Sequence, residues 1–243
     1  MEDVFENLHN DKKPLAERMR PKNLDEFVGQ KHILGKGKLL RRLIEARRVP
    51  SVIFYGAPGT GKTTLARIIA DESNSKFVKL NAISSGVADV KSVIEQAKKD
   101  FQMYGQKTYL LLDECHRWSK AQSDSLLAAL ENGYLIFVGC TTENPSYSMT
   151  RAIVSRCSVF EFKRLGADDV ITVLKRAIAD EENGLKIYNV KIDEDSLKYI
   201  AEACGGDVRS ALNGLEIGAI TTPRNEKGET VITKEIAAEC LQK

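Results

Sequence analysis

The chain has 243 residues and a mass of 27.0 kDa, with 42% hydrophobic and 29% charged residues. That length can bury a core without disulfide or metal staples, and the composition excludes disordered, collagen-like and mucin-like classes. Lys and Arg number 36 against 34 Asp and Glu, a net charge of +2, so a nucleic-acid partner must be sought in clusters of basic residues rather than in total charge.

No apolar run is long enough for a transmembrane helix. The opening, MEDVFENLHNDKK, is acidic and then polar, with no hydrophobic stretch of a secretory signal. The expectation is a cytoplasmic protein with no membrane partner. Five cysteines, Cys115, Cys140, Cys157, Cys204 and Cys240, show no metal-binding spacing. They read as small hydrophobes in a reducing compartment.

Residues 1–20 read as a polar N-terminal arm. Basic residues cluster at Lys12, Lys13, Arg18, Arg20 and Lys22, and again at Lys36, Lys38, Arg41, Arg42, Arg47 and Arg48. The second cluster overlaps Gly37 to Arg48, where Leu39, Leu40, Leu43 and Ile44 recur at helical spacing. Its charges form either the solvated face of that helix or a phosphate-contacting surface. Ser51 to Tyr55 then reads as a buried strand and Lys62 to Glu72 as a helix. Strands at Lys76 to Leu80, Thr108 to Leu112, Tyr134 to Val138 and Cys157 to Phe162 alternate with helices at Ala88 to Met103 and Lys120 to Asn132. Such alternation implies a parallel sheet covered on both faces. Beyond Leu165 helices predominate: Asp168 to Glu182, Asp193 to Cys204, Asp207 to Ile220 and Lys234 to Leu241. Asp168 and Asp193 are expected N-terminal caps. The predicted organisation is the arm (1–20), an α/β domain (21–165) and a small all-helical domain (166–243).

The strongest chemical signal is Gly56, Ala57, Pro58, Gly59, Thr60, Gly61, Lys62 and Thr63, followed by Thr64. It follows a strand and opens a helix, the context a phosphate-binding loop requires. Its glycines let backbone N–H groups wrap a phosphate at a helix N-terminus. Lys62 reaches the β- and γ-phosphates, and the Thr63 hydroxyl is a ligand for Mg²⁺. The second signal is Leu110 to Glu114. Its apolar run carries Asp113, for the metal shell, and Glu114, a general base for water, to the strand's C-terminal end. His116 and Arg117 follow, either as relay or positioning groups or as surface residues. Weaker signals are the polar strand end around Thr141 and Thr142, Arg156 before a strand, and Gly206 to Arg209 at a helix start.

Together these motifs resemble AAA+ ATPases of the clamp-loader group. Two strings are narrower. Pro14-Leu-Ala-Glu-Arg-Met-Arg-Pro21, running on to Phe27-Val-Gly-Gln30, resembles the opening of the replication-associated recombination protein A family. Asp113-Glu-Cys-His-Arg-Trp118 and Thr141-Thr-Glu-Asn-Pro-Ser146 resemble that family's DEVHRF and TTENPS strings. The Werner-helicase-interacting protein is the eukaryotic relative. The resemblance implies a three-layer α/β/α P-loop fold with a helical lid, and ATP and Mg²⁺ as cofactors. It implies that Arg20, Pro21 and the stretch Val28, Gly29 and Gln30 line an adenine pocket. Thr142 would be the first sensor, Arg156 a finger for a neighbouring subunit's site, and Arg209 the second sensor on the nucleotide.

The activity implied is DNA-dependent ATP hydrolysis to ADP and phosphate, in replication-fork maintenance, recombination and repair. The DNA would be single-stranded, gapped or forked and bound without sequence preference, since no zinc finger, helix-turn-helix or aromatic stacking motif is visible. Family members run longer and carry an oligomerisation domain after the lid. This chain stops at Lys243, so homo-oligomer formation is expected of the full-length protein, with single-stranded DNA-binding protein a candidate partner. The alternatives are a clamp-loader or Holliday-junction branch-migration subunit, and a non-hydrolysing nucleotide-switched adaptor. An intact Lys62, Asp113, Glu114 and Arg156 set argues against the last.

Overall fold

The computed structural model describes residues 13–241. The first twelve residues of the predicted arm, Lys12 included, lie outside the described residues. The chain divides into two compact units, Gln30–Lys163 and a second unit formed by the residues up to Gly29 together with those from Arg164 onward.

The first unit is built on a five-stranded sheet in the order β2-β3-β4-β1-β5, with every pairing parallel. The strands are β1 (Val52–Gly56), β2 (Lys76–Asn81), β3 (Thr108–Asp113), β4 (Leu135–Thr141) and β5 (Ser158–Phe162). The first five residues of β3 are buried, as expected of a parallel sheet covered on both sides. Alternation divides the strand residues between two faces. Ile53, Leu110, Leu112, Leu135 and Phe137 meet Leu126 and Ala129 of the helix Lys120–Glu131 and Ala97 of the helix Val87–Tyr104. Tyr109 has the opposite parity and is 3.3 Å from Ser73, the C-cap of the helix Lys62–Glu72. This is the predicted α/β class with helices on both faces. Each fully buried leucine contributes roughly 1.5–3 kcal/mol.

The sheet needs one close approach. Gly56 ends β1 with φ of 142°, and a Cβ there would lie 2.1 Å from the Phe162 carbonyl oxygen of β5. Only glycine brings the chain out of the sheet at that point.

Helices dominate the second unit: Ala167–Ala179, Glu194–Ala203, Val208–Thr221 and Lys234–Leu241. Asp193 caps its helix by accepting the Ser196 N–H at 2.7 Å, as predicted. Asp168 does not cap. It lies inside the first turn, and Gly166 occupies the cap position. A two-stranded parallel sheet, β6 (Val190–Ile192) with β7 (Thr230–Ile232), adds to the predicted helices. The segment around residues 15–19 packs into this unit's core. Leu15 and Met19 join Val170, Leu174, Leu197 and Leu215. Arg18 bonds Glu216 at 2.8 Å, and Arg176 donates to the carbonyls of Glu26 and Met19. The predicted polar arm therefore carries an amphipathic turn whose leucine, methionine and arginine find partners far along the chain.

Candidate functional site

All five strands run the same way, so their C-terminal ends share one edge of the sheet, where α/β folds place ligands. The phosphate loop leaves β1 at that edge. Gly59 and Gly61 adopt φ of 66° and 96°, the left-handed region that glycine enters without strain. Thr60 is buried and its hydroxyl donates to the Ala57 carbonyl at 2.8 Å. Lys62 is buried at the first turn of its helix. Its ammonium donates to the Gly56 and Ala57 carbonyls at 2.9 and 2.8 Å, drawing the loop into a closed ring. Gln30, also buried, bonds the Lys163 backbone through both ends of its amide, at 2.7 and 3.0 Å. Its Nε2 also lies 3.5 Å from the Thr60 carbonyl, which supports the loop from behind.

β4 lies between β1 and β3, so Asp113 is two strand spacings from the loop, roughly 9–10 Å. Asp113 ends β3 and has Lys79 of the adjacent strand 3.8 Å away. Glu114 follows with φ of 54°, a left-handed conformation uncommon outside glycine. The chain therefore turns sharply out of the sheet and winds into a short 3₁₀ turn, Cys115–Arg117. Burial pushes the Cys115 and Cys140 thiols well up, which keeps both uncharged beside the edge, and pushes Cys157 up to about 12.

Among the residues predicted from the sequence, Gly56 to Thr64, Asp113, Glu114 and Thr142 therefore share one edge. Thr142 is exposed in the turn beyond β4. Its neighbour Thr141 is buried, with its hydroxyl 2.9 Å from His116 Nδ1. The sequence offers His116 as a relay, positioning or surface residue and marks the strand end at Thr141 and Thr142 without assigning Thr141 a role; the structure brings His116 and Thr141 together. Arg156 lies at the opposite edge. It precedes Ser158, which pairs with Val52 at the start of β1, while Phe162 pairs with Gly56 at its end. That separation is about 13 Å of strand. Its guanidinium bonds Glu131 through Nε at 3.0 Å and through a second nitrogen, and donates to the Ala152 carbonyl at 2.9 Å.

Arg20, Pro21, Val28, Gly29 and Arg209 belong to the second unit. Arg20 pairs with Glu17 at 2.6 Å. Val28 packs on the helical core. Gly29 has φ of 84°, and a Cβ there would meet the Leu165 side chain at 3.2 Å. Arg209 is exposed in the first turn of the helix capped by Asp207.

A phosphate loop on β1, an Asp-Glu pair on β3 and a polar strand end between them define a P-loop nucleotide-binding protein. The chain belongs to the AAA+ P-loop ATPase family, with the model of the Holliday junction DNA helicase RuvB P-loop domain matching residues 19–167 and that of the AAA C-terminal domain matching residues 186–243. Replication-associated recombination protein A of Bacillus subtilis (strain 168) is 44% identical over 231 residues, covering 95% of this chain and 54% of that protein. The protein of that name from Escherichia coli (strain K12) is 40% identical, covering 93% and 50%. ATPase WRNIP1 of Dictyostelium discoideum is 42% identical, covering 88% of this chain and 24% of that protein. The chain thus spans about half the length of the bacterial relatives. Among solved structures, the Thermotoga maritima RuvB Holliday junction branch migration motor shares the fold, with a TM-score of 0.69 at 24% identity, over 93% of this chain and 72% of that one.

Proposed function

We propose that this chain binds ATP with Mg²⁺ and hydrolyses it to ADP and phosphate as part of a DNA-dependent enzyme of replication-fork maintenance, recombination and repair. The observation that carries the reading is the shared edge: the phosphate loop after β1 and the Asp113–Glu114 pair after β3 emerge from the same end of a parallel sheet, with β4 between them. The loop amides and Lys62 would hold the β- and γ-phosphates. Among the described residues no cluster of three or more His, Cys, Asp or Glu side chains could hold a metal alone. Thr63 and Asp113 fit a magnesium ion that also takes oxygens from phosphate and water. When bound, that ion neutralises charge developing on the phosphoryl oxygens. Glu114 would accept the proton of the attacking water. Arg20, Pro21, Val28, Gly29 and Arg209 are proposed to contribute the adenine pocket and second sensor, and Thr142 the first sensor. We also propose that the chain works as a homo-oligomer, with residues 21–165 and 166–243 acting as ATPase core and lid.

Replacing Lys62 by alanine tests the phosphate loop. It should remove the cation at the β- and γ-phosphates and sharply weaken nucleotide binding and turnover. Unchanged affinity and unchanged turnover would refute the assignment.

DNA binding is proposed through the second basic cluster. Lys36, Lys38, Arg42, Arg47 and Arg48 are exposed, whereas Arg18 and Arg20 of the first cluster are held in ion pairs. Basic side chains of this kind bind phosphates, so affinity should fall steeply with salt and vary little with sequence. Changing Lys36, Arg47 and Arg48 together to alanine should weaken binding to unrelated sequences alike. The salt slope should fall by roughly one for each phosphate that is no longer neutralised. Sequence-selective or salt-insensitive binding in a titration would contradict this. The match to the RuvB P-loop model favours a second reading, a branch-migration subunit. ATPase stimulation by four-way junctions in preference to gapped or forked DNA would select it. Co-purification with single-stranded DNA-binding protein tests that partner.

A further inference from the structure

We propose that His116 is a positioning residue for Glu114, fixing its carboxylate and tying it to the end of β4. This rests on the hydrolytic reading of the site given above. From sequence alone His116 is a relay group, a positioning group or a surface residue. Only 8% of its side chain is exposed, which removes the surface reading.

Three groups face the imidazole. Thr141 Oγ1 lies 2.9 Å from Nδ1, and Glu114 Oε2 lies 3.5 Å from the same nitrogen. Glu143 Oε1 lies 3.6 Å from Nε2. The ring therefore spans from the turn after β3 to the turn after β4.

Both anchorages are fixed by the backbone. Glu114 leaves β3 in the left-handed conformation, and its carbonyl accepts the Arg117 N–H at 2.9 Å, closing the turn. Cys115 is buried in the core and pins that turn from below. A residue two positions beyond Glu114 is thereby brought back beside it. On the other side, Thr141 is buried at the last position of β4, and its hydroxyl oxygen accepts the Glu143 N–H at 3.0 Å. The tautomer that holds Glu114 carries its hydrogen on Nδ1: it donates to the Thr141 hydroxyl oxygen and presents that N–H beside Glu114 Oε2, whereas a bare Nδ1 would turn a lone pair toward the carboxylate.

The Glu114 side chain is 35% exposed and has rotamers that point it away from the edge. A fixed ring beside one of its oxygens selects among them. His116 also touches the Thr141–Glu143 turn, which carries Thr142, so a shift of that turn is passed to Glu114. Misplacing a reacting group by about 1 Å can cost ~10²-fold in rate, which sets the expected size of the effect.

Steady-state ATP hydrolysis and ATP binding by variants of the chain test the proposal. His116→Ala should lower kcat by roughly 10²-fold with KM for ATP little changed. His116→Asn keeps an amide near the Nδ1 position and should recover most of the rate. His116→Gln reaches toward Nε2 instead and should not. In a Glu114→Gln background, His116→Ala should add little further loss, because it acts through Glu114. Unchanged kcat in His116→Ala, equal rates for the Asn and Gln variants, or a full additional loss in the Glu114→Gln background would each overturn the proposal. If His116→Ala does not fold, the Asn and Gln pair decides. A parent chain that binds ATP and does not hydrolyse it at any protein concentration overturns the hydrolytic reading itself, and this inference with it.

Discussion

Glu114→Gln should bind ATP as the parent chain does and hydrolyse it roughly 10²–10⁴-fold more slowly, the usual contribution of a positioned base. Glutamine matches glutamate in size and tolerates the same backbone conformation, so the turn closed by the Arg117 N–H should persist. Asp113 and the phosphate loop stay in place, which leaves the binding groups untouched. What is lost is the capacity of one side chain to take up a proton. Equilibrium binding of a fluorescent ATP analogue, set beside phosphate release, separates the two quantities. If binding falls as far as turnover, Glu114 is a structural residue and the general-base assignment fails.

A second large effect is expected at Arg156. An arginine supplied to phosphoryl oxygens is worth ~10³–10⁵ in rate in related nucleotidases. Arg156 lies about 13 Å of strand away from the phosphate loop of its own chain, at the opposite edge of the sheet. That placement keeps it from its own phosphate loop, so a catalytic part for Arg156, as proposed from the family resemblance, requires a second copy of the chain. In the single chain its guanidinium rests on Glu131 and the Ala152 carbonyl. Such a part-exposed pair is worth ~0–1 kcal/mol, little enough to be released when a neighbour docks. Specific activity should therefore rise with protein concentration, and Arg156→Ala should abolish the rise while leaving ATP affinity nearly intact. Mixing Arg156→Ala with Glu114→Gln should restore part of the activity, since one mixed interface pairs an intact Glu114 with an intact Arg156. No concentration dependence and no restoration would mean that the arginine acts in cis or has no catalytic part.

The phosphate loop is legible in the sequence because its residue pattern and its strand–helix context are both local. The helix Lys62–Glu72 has the predicted bounds. Strand ends are less legible. β2, β3 and β4 run on to Asn81, Asp113 and Thr141, polar residues that an apolar run does not mark. Those polar ends lie at the sheet edge where Asp113 is proposed to act, so strands bounded by their apolar runs stop short of it. Where two threonines adjoin, sequence does not say which one points inward. β4 is buried from Phe137 to its last residue, Thr141, and Thr142 is exposed because it lies in the turn beyond the strand. β6 and β7 have three residues each, too few for a period to emerge, and they exist because each finds the other. Partnerships such as Arg18 with Glu216 join distant parts of the chain and leave no local trace.

The placement of four of the five thiols, all but the part-exposed Cys240, gives the chain chemical reporters of its own opening. Cys115, Cys140 and Cys157 belong to the α/β unit, and Cys204 and Cys240 to the helical one. Burial raises the Cys115, Cys140 and Cys157 thiols, so little thiolate is available to an alkylating reagent while the α/β unit stays closed. Cys204 is likewise buried, with its thiol donating to the Ala201 carbonyl. Labelling followed by mass spectrometry would thus time the opening of each unit separately, without any engineered probe.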